Sequence, residues 1–364
     1  MQLVETSPQH EEGARIMTIC NACRYCEGHC AVFPAMEKHL TFDASTIEYL
    51  ANLCHQCGAC FQHCQYAEPH EFAVNVPDTF AAVRTSSYVN HIWPGMARPL
   101  VRHGRTFSFV SALLATTAFS IGVYLEHGGQ VFSRSHDSFY EVIPHGVMAG
   151  TFSLLGVAVL LVWTMSLVRF WRILGLPSAF FIDRQTYVRA LKSMLTLENL
   201  GGGHGKGCYQ HGERASQIKR WFHHLTMYGF LLCFAATSLG TVYHYVLQFP
   251  APYDWLTGPK LLGTLGGVSL LFGSAGLYWS RRQTTPEIDT EDHGMGVSLI
   301  VLLFATSLSG LALPLLKDSS WLVVALCLHL GIVVAMFTCF AWGKFMHGMY
   351  RAVALIKSEH DELP

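Results

Sequence analysis

Beyond residue 100 the chain alternates between long apolar runs and polar connections. Six runs stand out, and they predict helices at about 106–125, 145–168, 221–247, 259–280, 294–316 and 321–345. Each is close to the roughly 20 residues a helix needs to cross about 30 Å of hydrocarbon. A single such run could be a buried core helix; six in one chain argue for a membrane bundle. Residues 1–100 read differently, with apolar and polar positions mixed and short helical stretches at 35–40 and 45–53, for which Asp43 and Ser45 are candidate caps. The alternation of β-branched residues that marks a hairpin is absent. The pattern therefore predicts an all-α protein with a small helical domain over 1–100 and a six-span transmembrane domain over 101–364, whose long inner loop is 169–220.

Composition supports this division. Hydrophobic residues make up 51% and charged residues 13% of the chain, against about 25% charged in an ordinary soluble domain. A net charge of −1 leaves no basic footprint for nucleic acid. Nine Lys and Arg fall within 169–220, while Arg281, Arg282, Lys344, Arg351 and Lys357 follow spans four and six. The opposite side offers Arg134, Lys260 and Lys317. Under the positive-inside rule both termini face the cytoplasm. Glu5, Glu11 and Glu12 precede any apolar run, so the start does not read as a signal peptide.

The strongest chemical signal is a pair of cysteine runs. Cys20, Cys23, Cys26 and Cys30 are repeated by Cys54, Cys57, Cys60 and Cys64, and both follow the C-x2-C-x2-C-x3-C spacing of [4Fe–4S] proteins. In that arrangement the fourth cysteine of each run ligates the other cluster. One cluster is thus assigned to Cys20, Cys23, Cys26 and Cys64, and the other to Cys54, Cys57, Cys60 and Cys30. The Pro that often follows the fourth cysteine is replaced by Ala31 and Gln65. Zinc would call for ligands in two pairs, a different spacing. The helical stretches between the runs make this an α-helical ferredoxin-like domain. Clustered cysteines also imply a reducing compartment, in agreement with the loop charges. Cys233, Cys327 and Cys339 lie in apolar spans and read as packing residues.

Histidine inside a span is costly and tends to be functional. Span three opens with His223 and His224 and closes with His244, whereas span six holds His329 and ends near His347. His329 and His347 are 18 residues apart, five turns and about 27 Å along one face of a continuous helix. His223 and His244 are 21 residues apart, about 32 Å. His224 would face away from His244, so His223 is preferred and His224 is the alternative. Two levels of paired imidazoles, with His223 and His347 inside and His244 and His329 outside, match two stacked b-type haems. His145 and His293 read as interfacial. The glycine-rich segment 201–207 lacks the GxxxxGK[ST] spacing of a phosphate loop and reads as a turn. No GxGxxG follows a strand, so flavin or nicotinamide binding by this chain is not expected.

Taken together these residues resemble the tricarballylate/citrate utilization protein B family over nearly the whole length. The resemblance rests on both cysteine runs, on Ala67-Glu68-Pro69-His70-Glu71-Phe72, on His223-His224 followed by Tyr228-Gly229-Phe230, and on Tyr243-His244. It rests also on Ala251-Pro252-Tyr253, His329-Leu330-Gly331 and Gly343-Lys344-Phe345-Met346-His347-Gly348. The membrane part is similar to the haem b subunit of respiratory nitrate reductase. The resemblance implies a bacterial cytoplasmic-membrane partner of a soluble FAD-dependent tricarballylate dehydrogenase, whose flavin it reoxidises. The expected path runs through two [4Fe–4S] clusters and b-type haem to a membrane quinone. Two competing readings are a membrane anchor that recruits a dehydrogenase without haem transfer, and a quinol-dependent reductase subunit running in reverse.

Overall fold

The computed structural model describes residues 4, 6–133, 136, 138–209, 214–249, 251–283 and 293–362; Arg134 and the side chain of His293 lie outside what is described. Among the described residues the regular structure is helical, and the β interaction present is an isolated antiparallel bridge between Cys208 and Ser216.

The N-terminal part contains α1 (Pro8–Cys23), α2 (Val32–Glu37), α3 (Ala44–Leu53), α4 (Ala59–Gln62) and α5 (Val76–His91). Local chemistry sets the starts of these helices. The Asp43 carboxylate accepts from the Thr46 amide at 2.8 Å to cap α3, and the Asn75 side chain accepts from the Asp78 amide at 3.2 Å to cap α5. Pro8 and Pro77 stand in first turns, where no amide hydrogen is needed. The first cysteine run begins in the last turn of α1 and the second just after α3, at a 34-residue offset, so the cysteine pattern is an internal repeat.

A short α6 (Arg98–Arg102) leads into the apolar helices α7 (Gly104–His127) and, after the small α8 (Phe139–Val142), α9 (His145–Ile173). The inner loop carries α10 (Arg184–Thr196). Then come α11 (Ile218–Tyr245), α12 (Gly258–Arg282), α13 (His293–Leu316), α14 (Leu322–Trp342) and α15 (Met346–His360). Six of these stretches are long and apolar enough to cross a membrane, the sixth formed by α14 and α15 together. Phe109, Leu113, Leu154, Val157, Leu160 and Phe272 stand exposed on them, as expected of surfaces that meet lipid rather than water.

α11 packs on α12, α12 on α13, and α13 on α14, which also lies against α7 and α9. The contact of α11 with α12 depends on missing side chains: a Cβ on Gly266 would stand 2.8 Å from the Cys233 nitrogen, and one on Gly273 2.5 Å from the Thr226 nitrogen. This is the small-residue route to close packing of membrane helices. α11 reaches α14 through aromatic rings, with Phe230 at 5.4 Å from Phe340.

One core joins the cysteine domain to the inner ends of the membrane helices. Ile16, Leu50, Phe80 and Tyr88 pack together with Phe170 of α9 and Tyr350 and Val353 of α15. Tyr88 and Tyr350 stack at 5.2 Å, and Phe170 meets Tyr350 edge-on at 4.9 Å. Arg169 donates to the Ile92 carbonyl at 2.9 Å, which ties the end of α5 to α9.

Candidate redox centres

The cysteines line two cavities. The first, about 250 Å³, is bordered by Cys20, Cys23, Cys26 and Cys64, together with Phe33, His63 and Tyr66. The second is tighter, about 20 Å³, and is bordered by Cys30, Cys54, Cys57 and Cys60, with His55 and Asn199. Each cavity thus takes three cysteines from one run and the fourth from the other. Gly28 and Gly58, at φ +80° and +76°, turn the backbone just after the third cysteine of the first run and just before that of the second.

Burial, and then crowding, makes Cys20, Cys26, Cys30 and Cys60 poor acids. Burial, then Cys26, Cys64 and Cys23, push the Cys20 thiol up to about 12. Burial and the neighbouring cysteines likewise push Cys26 to about 12, and Cys30 and Cys60 well above the ordinary thiol value. Four clustered thiolates need cationic charge among them, which iron supplies. No three His, Cys, Asp or Glu among the described residues close on a single ion position. A cubane bonds each thiolate to a different iron, so its ligands stand wider apart than those of one ion. The donor set therefore fits [4Fe–4S] groups.

The inner histidine level is assembled from three elements. His223 of α11 and His347 of α15 face each other with ring centroids 6.3 Å apart. Two imidazoles that shared one metal ion at about 2.0–2.1 Å each would have centroids at a similar separation. Nδ1 of His347 donates to the Lys344 carbonyl at 2.5 Å, which leaves Nε2 free as a ligand. The Nδ1 of His223 is buried with no partner. His224 instead stacks on Tyr228 at 5.7 Å, so the structure brings His223 and not His224 to His347. His55, inside the second cysteine run, donates its Nδ1–H to the Leu53 carbonyl at 2.8 Å and lies within electrostatic reach of His223. Burial, and then Arg351 beside it, hold His55 well below the usual histidine range.

His347 arrives by a different route from the one its spacing implies. Span six is not one continuous helix: α14 ends at Trp342, Gly343 is extended, and α15 begins at Met346. The five-turn count between His329 and His347 does not describe this segment. A Cβ on Gly343 would stand 2.5 Å from the Cys339 carbonyl oxygen, so the break needs glycine.

The outer level is arranged differently from the paired expectation. His244 stacks on His145 at 3.9 Å with a 16° interplanar angle, near Tyr140 and Tyr245. His329 bonds through Nδ1 to the Ser309 hydroxyl of α13 at 2.9 Å and lies over Gly310. No ring contact joins His244 to His329. His145, read from the sequence as interfacial, is the imidazole that His244 meets.

The inner loop clamps the cysteine domain. The Tyr209 amide donates to the Cys57 carbonyl at 2.8 Å, and the Ala31 amide donates to the Asn199 side chain at 2.9 Å. Gly202 (φ +70°) has its own Cβ position 1.7 Å from the Gly207 carbonyl oxygen, so only glycine closes this turn. His204 beside it packs on His29, which pairs with His63 at 3.2 Å.

Sequence comparison places this architecture. A family model described as Citrate utilization protein B matches residues 107–363, and one described as Citrate utilization protein B Fer4-like domain matches residues 13–90. Citrate utilization protein B of Escherichia coli is 41% identical over 356 residues, covering 97% of this chain and 92% of that protein. The chain belongs to the citrate utilization protein B family. The Fer4-like match lies ahead of the long apolar helices, and both cysteine runs fall inside its 13–90 segment. No solved structure matches the chain. Sequence reasoning about this family member missed His55, Arg84, Lys219, Arg351 and Tyr209. His55 alone carried a local signal, being a histidine set between Cys54 and Cys57 of one run.

Proposed function

We propose that this protein is a membrane electron carrier. It takes electrons from the flavin of a soluble FAD-dependent tricarballylate dehydrogenase and delivers them to membrane quinone. Its cysteine domain, residues 1–100, lies on the cytoplasmic side of a bacterial inner membrane, with both termini there, and residues 101–364 span the bilayer. Cys20, Cys23, Cys26 and Cys64 hold one [4Fe–4S] cluster, while Cys54, Cys57, Cys60 and Cys30 hold the other. His223 and His347 hold the inner haem b, and His244 and His329 are assigned to an outer one. When bound, these groups supply one-electron centres that divide the two-electron output of a reduced flavin.

The observation that carries this reading is the continuity between the second cysteine cavity and the inner histidines. Arg351 follows His347 by one turn and donates to the Cys54 carbonyl at 2.7 Å. Lys219, one turn before His223, donates to the Gln56 carbonyl at 3.2 Å. Both helices that bear the inner imidazoles therefore grip the loop that bears the cysteines. The chain's own residues fix the His347 tautomer, enclose the thiols in a low-dielectric interior and hold two kinds of site in register.

Iron and acid-labile sulfide analysis of the purified protein should give about eight sulfides per chain, and a reduced-minus-oxidised spectrum should show b-type haem. Haem reduced by dehydrogenase plus tricarballylate should be reoxidised by added quinone. Absence of b-type bands from freshly isolated membranes would overturn the haem path, and absence of acid-labile sulfide would overturn the cluster path.

A further inference from the structure

The two cysteine cavities differ in the charges that surround them. Around the second, three cations from three elements converge on one short loop. Arg84 of α5 donates to the Ala51 and Cys54 carbonyls, both at 3.1 Å, and to the Gln56 side chain at 3.0 Å. Arg351 of α15 donates to the Cys54 carbonyl at 2.7 Å, and Lys219 of α11 to the Gln56 carbonyl at 3.2 Å. Each of the three bonds to carbonyl or amide oxygens and none to a carboxylate. Lys344 lies within electrostatic reach of all three. Cys57 and Cys54 in turn lie within reach of Lys219 and Arg351.

Among the described residues no buried cation is hydrogen-bonded to the first cysteine run. Arg24, next to Cys23, is exposed and turns its guanidinium to the Asn21 carbonyl at 3.1 Å. An exposed cation acts through water, whereas an enclosed one acts through an effective dielectric near 20, about four times more strongly at equal distance. Tyr25, on the rim of the first cavity, is 67% exposed, while Cys54 and Cys57 are 6% and 8% exposed.

A [4Fe–4S] group with four thiolates is an anion, and reduction adds one further negative charge. Enclosed cations favour the more negative state. We propose that Arg84, Lys219 and Arg351 make the second cluster the better electron acceptor of the two. The chain's fixed charge then draws electrons from the solvent-facing site toward the membrane helices. In this transfer one electron leaves the reduced flavin of the partner for the first cluster; passing it on reoxidises the first and reduces the second. The three cations are not ligands; they act by their charge, which the loop carbonyls hold in place. The inference rests on the cluster assignment made under the proposed function.

The test is a redox titration of the full-length holoprotein in detergent, with dithionite as reductant and each cluster followed by its paramagnetic resonance signal. Loss of a signal in Cys57→Ser identifies the second cluster. In the wild type that cluster should be reduced before the first. Arg351→Leu and Lys219→Met should each lower its reduced-to-oxidised ratio at a fixed ambient potential tenfold or more, which is about 59 mV for one electron. The first cluster should not move, and Arg351→Lys should recover most of the shift by restoring charge. If Arg351→Leu fails to retain its clusters, Lys219→Met carries the test. Both clusters present with neither moved, or both moved equally, would overturn the inference. A wild type lacking iron and labile sulfide would instead remove the assignment on which it stands.

Discussion

Glu48 shows how one buried charge is kept in the cysteine domain. It is fully buried on α3, accepts from His91 at 2.5 Å and has His10 of α1 at 3.6 Å. Burial works to raise its carboxyl, but the hydrogen bond from His91 and the His10 ring beside it outweigh this and hold it below the ordinary glutamate value. A carboxyl lowered by folding contributes stability that is present above its unfolded value and is lost as pH falls through the folded one. Denaturant midpoints of the wild type should therefore drop as pH falls below about 4.5, with Glu48→Gln showing a flatter profile there. Glu48→Ala should cost about 3–5 kcal/mol near neutrality, because it leaves two imidazoles facing an empty buried position.

Residue chemistry also separates the histidines. His347→Leu and His223→Leu should each remove the same part of the reduced-minus-oxidised haem spectrum, while His224→Leu should leave it. His329→Leu should remove a different part and spare the iron–sulfur signals. If His145→Leu removes the same part as His329→Leu, the stacked partner of His244 belongs to that site. The sharing of cysteines between two cavities was legible in the sequence because ligand spacing on a short loop is a local property, repeated here at Cys20 and Cys54. The contact of His244 with His145 was not, since it depends on where the ends of two helices meet in space.

At the level of elements, the same contrast holds. The six apolar stretches were legible because a bilayer imposes length and polarity on a segment regardless of its neighbours. The interruption at Gly343 was not, since glycine is common in membrane helices and carries no mark of a break. α15 did leave a trace that the sequence reading passed over. Met346, Tyr350, Val353, Ala354 and Ser358 recur at helical spacing and are the buried face of that helix. Gly343→Val should push the Cys339 turn aside and displace His347, with loss of the same haem component as His347→Leu. Gly266→Leu should force α11 and α12 apart. A cost of about 1–3 kcal/mol follows for such overpacking, readable as a lowered Tm in detergent.

The molecule as a whole behaves as one body rather than a soluble head on a stalk. Tyr350, 1% exposed, sits between Tyr88 and Phe170, so a single ring belongs to the cysteine domain, α9 and α15 together. Tyr350→Ala should cost about 3–5 kcal/mol, as for other large buried aromatics. It should also make the junction at 92–104 newly sensitive to protease while the membrane helices stay intact.

The clasp of Arg351 on Cys54 spans 297 residues of chain, and this has a bearing on biogenesis. During translation the second cysteine loop leaves the ribosome long before the helix that will fasten it. Tyr209 and Lys219, which hold Cys57 and Gln56, reach it next, and Arg351 fastens it last.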